Sequence, residues 1–203
     1  MRVTDLLQYA RVHRAMAVLA GVTVVAVLSA LFGGTRIAVP SFGGAGYSTG
    51  IPFRRELPML SAVFLTAALG GGMATHEELA TPRVHRARTG FLAILVFIAC
   101  GISFVVESLA VGHEGGIVYV RSMLIWFGIA LTSIRVFGNQ LGWIMPLGSV
   151  LPLVWFAPAW WDWTASGSGD PFSWLIVGLS MGVGVTAVAA SSWRLQAFRV
   201  KRM

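Results

Sequence analysis

Phe91–Val111 reads FLAILVFIACGISFVVESLAV and carries one charged residue, Glu107. A helix needs about 20 mostly apolar residues to cross a bilayer's hydrocarbon core. A surface helix of a soluble domain would show a polar face, and this run shows none. Five further runs of the same kind flank it: Ala15–Gly33, Leu57–Ala74, Val118–Phe137, Leu141–Trp160 and Trp174–Trp193. The expected fold class is therefore all-α, a polytopic membrane bundle of six transmembrane helices.

Composition agrees. The chain has 203 residues, 56% hydrophobic and 11% charged, with mean hydropathy +0.77. A soluble domain is about a quarter charged, and this chain has too little polar surface to face water on all sides. The net charge of +7 comes almost wholly from arginine, at chain ends and in loops. A nucleic-acid interface would need a basic stripe interleaved with exposed aromatics, and the sequence has none. Cys100 lies alone inside an apolar run, where a cysteine acts as a small hydrophobe.

Basic residues set the expected orientation. With the N-terminus inside, Arg2, Arg11, Arg14, Arg83, Arg86, Arg88, Arg135, Arg194, Arg199, Lys201 and Arg202 fall on the inner side. Only Arg36, Arg54, Arg55 and Arg121 fall outside. Both ends are expected in the cytoplasm, with residues 194–203 a basic tail. The fifth run is interrupted by Pro146, Pro152 and Pro158, each lacking a backbone donor, so a kink or a partly re-entrant end is expected there. Gly34–Glu56 is a long outer loop, expected to be ordered only by packing.

Two inner segments stand out. Residues 1–14 place Val3, Leu6, Leu7 and Ala10 on one helical face and arginines on the other, which predicts an amphipathic helix in the interface plane. Residues 76–89 open with Glu77 and Glu78, pass through Pro82 and close with Arg83, Arg86 and Arg88. A helix acidic at its start and basic at its end complements its own dipole. A solvated positive-inside anchor would use the same residues.

In this order of parts the chain resembles the membrane (permease) subunits of ABC-2 type exporters. That family has an interfacial N-terminal helix, six spans with both ends inside, and a coupling segment between spans two and three. The resemblance implies that Glu77, Glu78, Pro82, Arg83, Arg86 and Arg88 form an ATPase-coupling loop. It further implies a separate cytoplasmic ABC ATPase carrying ATP and magnesium, a homo- or heterodimer of membrane subunits, a bacterial cytoplasmic membrane, and export of a lipophilic or amphipathic substrate. The chain departs from the family in its length and in its short loop between spans five and six. It has no phosphate-binding P-loop, whose lysine must reach the phosphates, because its sole lysine is Lys201. The alternative is a non-transporting polytopic anchor or scaffold subunit. Neither reading makes this chain an enzyme or gives it a cofactor of its own.

Three constellations have competing readings. Glu107 and Arg121 lie equally far from the centre of Gly112–Gly116, which predicts an intramembrane ion pair; a proton- or substrate-handling acid and two separate interfacial groups are the alternatives. Gly178-Leu179-Ser180-Met181-Gly182 matches both the G-x-S-x-G of serine hydrolases and the G-x-x-x-G of packed membrane helices. No histidine falls at the depth of Ser180, so the expectation is that Gly178 and Gly182 serve helix packing and that there is no catalytic residue. His76-Glu77 and His113-Glu114 lack the H-E-x-x-H spacing, so no metal site is expected.

Overall fold

The structure is a computed structural model. It describes the backbone of residues 15–40, 48–69, 82–155 and 162–200, and the side chains of 15–36, 53–69, 89–153 and 162–189. Six α-helices lie in the described residues: α1 Ala15–Phe32, α2 Leu57–Ala67, α3 Pro82–Val111, α4 His113–Phe137, α5 Ile144–Trp155 and α6 Pro171–Val200. Four contain a segment long and apolar enough to cross a membrane: α1, residues 89–111 of α3, α4, and residues 171–189 of α6. The protein is a multi-pass, helical membrane protein.

Within the described residues α2 has 11 residues and α5 has 12, and residues 70–74 and 156–160 of the two expected runs lie outside them. At about 1.5 Å per residue each reaches only about 16–18 Å. α2 closes through the Ala68–Leu69 turn, ahead of the Gly70–Gly72 run that lies outside the described residues. α5 contains Pro152, which removes one backbone donor. The segment expected as a basic tail begins as helix, since α6 continues to Val200.

α4 is the central helix. It packs against α2, α3, α5 and α6, and 61% of its apolar window is buried, against 11% for α6. Its Met123, Ile125, Trp126 and Ala130 are fully buried, with Val22 of α1, Ala62 and Leu65 of α2, and Ala99 of α3 around them. The outward faces stay apolar: Leu109 is 85% exposed, Phe97 80% and Leu31 69%. In water such a surface would drive aggregation; in a bilayer it meets lipid tails.

The backbones of α4 and α6 approach each other closely. A Cβ on Gly184 would lie 2.5 Å from the Gly128 carbonyl oxygen, and one on Gly128 would lie 2.4 Å from the Ser180 carbonyl carbon. The packing notch is thus Gly128 against Ser180 and Gly184, not the expected Gly178 and Gly182, which have nothing within 4 Å of a Cβ. Helical phase explains the difference. Two residues along a helix turn it by about 200°, so Ser180 and Gly184 share one face while Gly178 and Gly182 share the opposite one.

Two glycines with positive φ end the central hairpin, Gly112 at 92° and Gly138 at 91°. Only glycine takes this conformation without steric cost. Gly112 is the whole connection between α3 and α4, and His113–Gly116 already belong to α4. At the other end, Ser133 Oγ donates to the Leu141 carbonyl (2.9 Å) and accepts from the Met145 amide (3.3 Å), fixing the short turn into α5.

The loop after α1 is built rather than merely packed. Strands β1 (Arg36–Pro40) and β2 (Ser48–Pro52) pair antiparallel, with Ile37 opposite Ile51 and Val39 opposite Thr49. β-Branched residues at alternate positions suit a strand. A two-stranded hairpin alone is marginal, and this one is tied to the bundle by two further bonds, from the Phe53 amide to Thr35 (3.0 Å) and from the Arg54 amide to Gly33 (3.2 Å). Gly33 must lack a side chain, since its Cβ would lie 2.8 Å from that of Arg54. The ladder runs into a 3₁₀ turn, Phe53–Arg55, which delivers two arginines to the end of the bundle.

Candidate functional site

Four pieces converge at this hairpin end: the Phe53–Arg55 turn, the start of α2, the first turns of α4, and the loop 162–170. They form a cavity of 260 Å³ lined by Arg54, Arg55, Tyr119, Ser122, Thr164 and Ser166, with apolar wall from Pro58, Val118 and Ala165.

Arg54 is the first fixed charge. Its Nη2 donates to the Ser29 carbonyl at 3.2 Å, and its Nε lies 3.1 Å from Glu107 Oε2. Glu107 is fully buried while Arg54 is partly exposed. The Nε–H is not aimed at the carboxylate, and neither Glu107 oxygen makes a hydrogen bond. The contact is therefore a charge pair without directional bonding. Such a pair is costly to bury, and removing one partner costs more than the pair gains.

The expected Glu107–Arg121 pair does not form. The pivot is Gly112 alone, not the middle of Gly112–Gly116. Glu107 lies five residues before that pivot and Arg121 nine after it. They differ by about 6 Å in depth at 1.5 Å per residue. Arg121, fully buried, instead donates to three loop carbonyls: Nη1 to Gly167, and Nη2 to Trp163 (2.9 Å) and Ser166 (2.8 Å). Peptide dipoles rather than a carboxylate hold this charge. The loop is pinned further by the Trp163 ring against Trp126 of α4, with centroids 5.7 Å apart.

Beside the cavity, Arg55 Nη1 lies 3.6 Å from Asp162 Oδ2. Asp162 Oδ1 accepts from the Thr164 amide (3.0 Å) and hydroxyl, which shapes the loop's first turn. Glu56 sits next to this pair. Its Oε2 is buried without a hydrogen bond. Burial, and then the Asp162 charge, push its carboxyl up to about 7 against the opposing pull of Arg55. Asp170 caps α6 by accepting from the Ser173 hydroxyl (2.6 Å) and amide (3.1 Å), which hold its carboxyl below the ordinary value. Tyr119 and Ser61 share a hydrogen bond at 2.9 Å that joins α2 to α4.

No protein-family model, curated protein or solved structure matches this chain. The site has to be read from its own geometry.

Of the expected coupling residues, Glu77 and Glu78 lie outside the described residues, as does the amphipathic segment 1–14. Pro82 opens α3, and Arg83, Arg86 and Arg88 follow in its first two turns; their side chains lie outside the described set. The dipole expectation changes as a result. The arginines sit at the start of a helix rather than at its end. Ser180, centre of the hydrolase-like motif, bonds back to the Val177 carbonyl at 3.2 Å and packs on Gly128. His113 rests edge-on against Phe104 at 5.4 Å, one turn above Gly116. Among the described residues no three His, Cys, Asp or Glu side chains gather as metal ligands.

Sequence reasoning passed over Arg54, Arg55, Glu56 and Asp162, treating the arginines only as outer charges. A pointer was present: Arg-Arg-Glu stands directly before the apolar run at Leu57. Adjacent charges at the mouth of a span are placed at interface depth by that span.

Proposed function

We propose that this chain is the membrane subunit of an exporter resembling the ABC-2 type, working with a separate cytoplasmic ATPase to move a lipophilic or amphipathic substrate out of a bacterial cell. In this reading it has six spans, with α2 and α5 completed by residues outside the described set. Both termini and the 76–89 segment are cytoplasmic, the hairpin end is external, and two membrane subunits assemble.

The observation that carries the reading is the continuity of α3, one helix of 30 residues from Pro82 to Val111. At 1.5 Å per residue it is about 45 Å long, roughly 15 Å more than a hydrocarbon core. Its first two turns hold Arg83, Arg86 and Arg88, and its last two hold Glu107. A push on the basic end is therefore delivered to the Glu107–Arg54 contact, and through Arg54 to the cavity. Arginines in the first turns of a helix oppose its dipole, each by about 0.3–1 kcal/mol. An acidic surface on a partner removes that penalty, which is a reason to dock one there.

The alternative, an anchor or scaffold, draws on α6, whose membrane segment is only 11% buried and offers a broad apolar face to another membrane protein. Co-purification in mild detergent separates the two. Stoichiometric ATPase with the wild-type chain, lost in an Arg83→Ala/Arg86→Ala/Arg88→Ala variant that still folds, supports the exporter. A folded bundle that recovers no ATPase rejects it in favour of the scaffold.

A further inference from the structure

Arg54, Arg55 and Arg121 stand within a few turns of one another, but their donors are spent differently. A guanidinium has five N–H donors. Arg121 commits both terminal nitrogens to loop carbonyls and does not line the cavity. Arg54 uses only Nη2 on Ser29 and lays Nε beside Glu107, leaving Nη1 uncommitted. Among the described residues Arg55 has one ion pair, at the long distance of 3.6 Å to Asp162, and its charge also acts on the neighbouring Glu56. Both arginines line the cavity, as do Ser122 and Thr164, the latter with its hydroxyl proton already given to Asp162. Ser122 is 2% exposed, and no hydrogen bond ties its hydroxyl to another described residue.

A pocket with arginine forks and hydroxyls, and no carboxylate on its wall, matches a tetrahedral oxyanion. The neighbouring acids do not forbid one. Glu107 lies on the Nε edge of Arg54 and Asp162 on Nη1 of Arg55, so a phosphate shares these two guanidiniums with them through the terminal donors they leave, while burial holds the Glu56 carboxyl up to about 7. The volume selects the ligand further. At 260 Å³ the cavity falls just below the usual range of about 300–1,000 Å³ for small-molecule sites. It holds a headgroup and a few methylenes, not a whole lipid. Pro58, Val118 and Ala165 add apolar wall beside the arginines, against which the first methylenes of an acyl chain would lie.

We propose that this cavity is a binding site for a phosphate headgroup, held by Arg54 and Arg55. The site stands whether or not an ATPase docks at the far end of α3, so failure of the co-purification above does not touch it.

The test is isothermal titration of the full chain in dodecyl maltoside with two probes, dodecyl phosphate and inorganic phosphate. The comparison is between wild type, Arg55→Gln and Ala165→Phe. Arg55→Gln removes donors. Ala165→Phe fills the cavity from an exposed loop position without touching a charge. Saturable binding that weakens about tenfold or more in both variants, the worth of one charge-assisted hydrogen bond, establishes the site. Dodecyl phosphate binding alone assigns it to a lipid-like ligand; inorganic phosphate binding equally well assigns it to the free ion. No saturable binding by either probe to the folded wild type overturns the proposal. So does binding that both folded variants retain in full.

Discussion

The α4–α6 notch makes a quantitative claim about two glycines only two residues apart. In Gly184→Ala the new Cβ would sit 2.5 Å from the Gly128 carbonyl oxygen. Unstrained contact needs about 3.5 Å, so the helices must part by roughly 1 Å. Overpacking of this kind costs about 1–3 kcal/mol. Helix propensity gives back about 1 kcal/mol for replacing glycine, leaving a net loss of up to roughly 2 kcal/mol. Gly182→Ala meets nothing within 4 Å, so only the propensity gain remains and the variant should be as stable as wild type or slightly more so. The assay is reversible unfolding in mixed detergent and SDS, followed by tryptophan fluorescence. If Gly182→Ala is the more damaging of the two, the assigned packing face is wrong and the Gly178–Gly182 face is the one that carries a contact.

Three other changes have defined outcomes. Arg121→Met removes three charge-assisted bonds to the 163–167 loop. With the recovered cost of burying a charge set against them, the loss is roughly 2–4 kcal/mol, and limited proteolysis should cut at Ser166–Ser168 in the variant before wild type; equal protection would refute the clamp. Glu56, with its carboxyl raised from 4.5 to about 7, binds its proton more tightly folded than unfolded. Stability should therefore fall as pH rises from about 4.5 to 7 and level off above. Melting temperature against pH should lose that slope in Glu56→Gln, and an unchanged profile would show that the carboxyl is not the titrating group. Asp170→Ala removes the cap of α6 and should lower the melting temperature at neutral pH, with the gap to wild type closing as acid protonates Asp170.

Hydropathy made the membrane class and four spans legible, because a long uncharged run has few other uses. It carried α2 past Ala67, because apolar content does not report where a turn such as Ala68–Leu69 ends a ladder of backbone bonds. The β-hairpin was hidden because its glycine-rich surroundings read as loop, although Ile37, Val39 and Ile51 carry the alternation of a strand. The charged site was half legible. Glu107 and Arg121 both stood out as intramembrane charges, yet their partners could not be found by counting along one hairpin. Arg54 is delivered by an element two helices earlier in sequence, and the carbonyls on Arg121 carry no side-chain signature at all. Depth counts also depend on the pivot, and a one-residue connection at Gly112 shifts the register that a five-residue turn would set. The glycine motif failed for a related reason: spacing shows that two residues share a face, but not which neighbour that face meets.

Arg121 also bears on how the chain is made. Its partner Gly167 lies 46 residues later, so at synthesis rates of about 5–20 residues per second the arginine exists for roughly 2–9 s before that carbonyl has been translated. During this interval the α3–α4 pair has a cation on the face that later becomes the core, with no protein group to satisfy it. The hairpin must keep that end close to water, or in the insertion machinery, until the 162–170 loop arrives. A chain stopped after α5 would carry the same charge without the three carbonyls that hold it in the finished bundle.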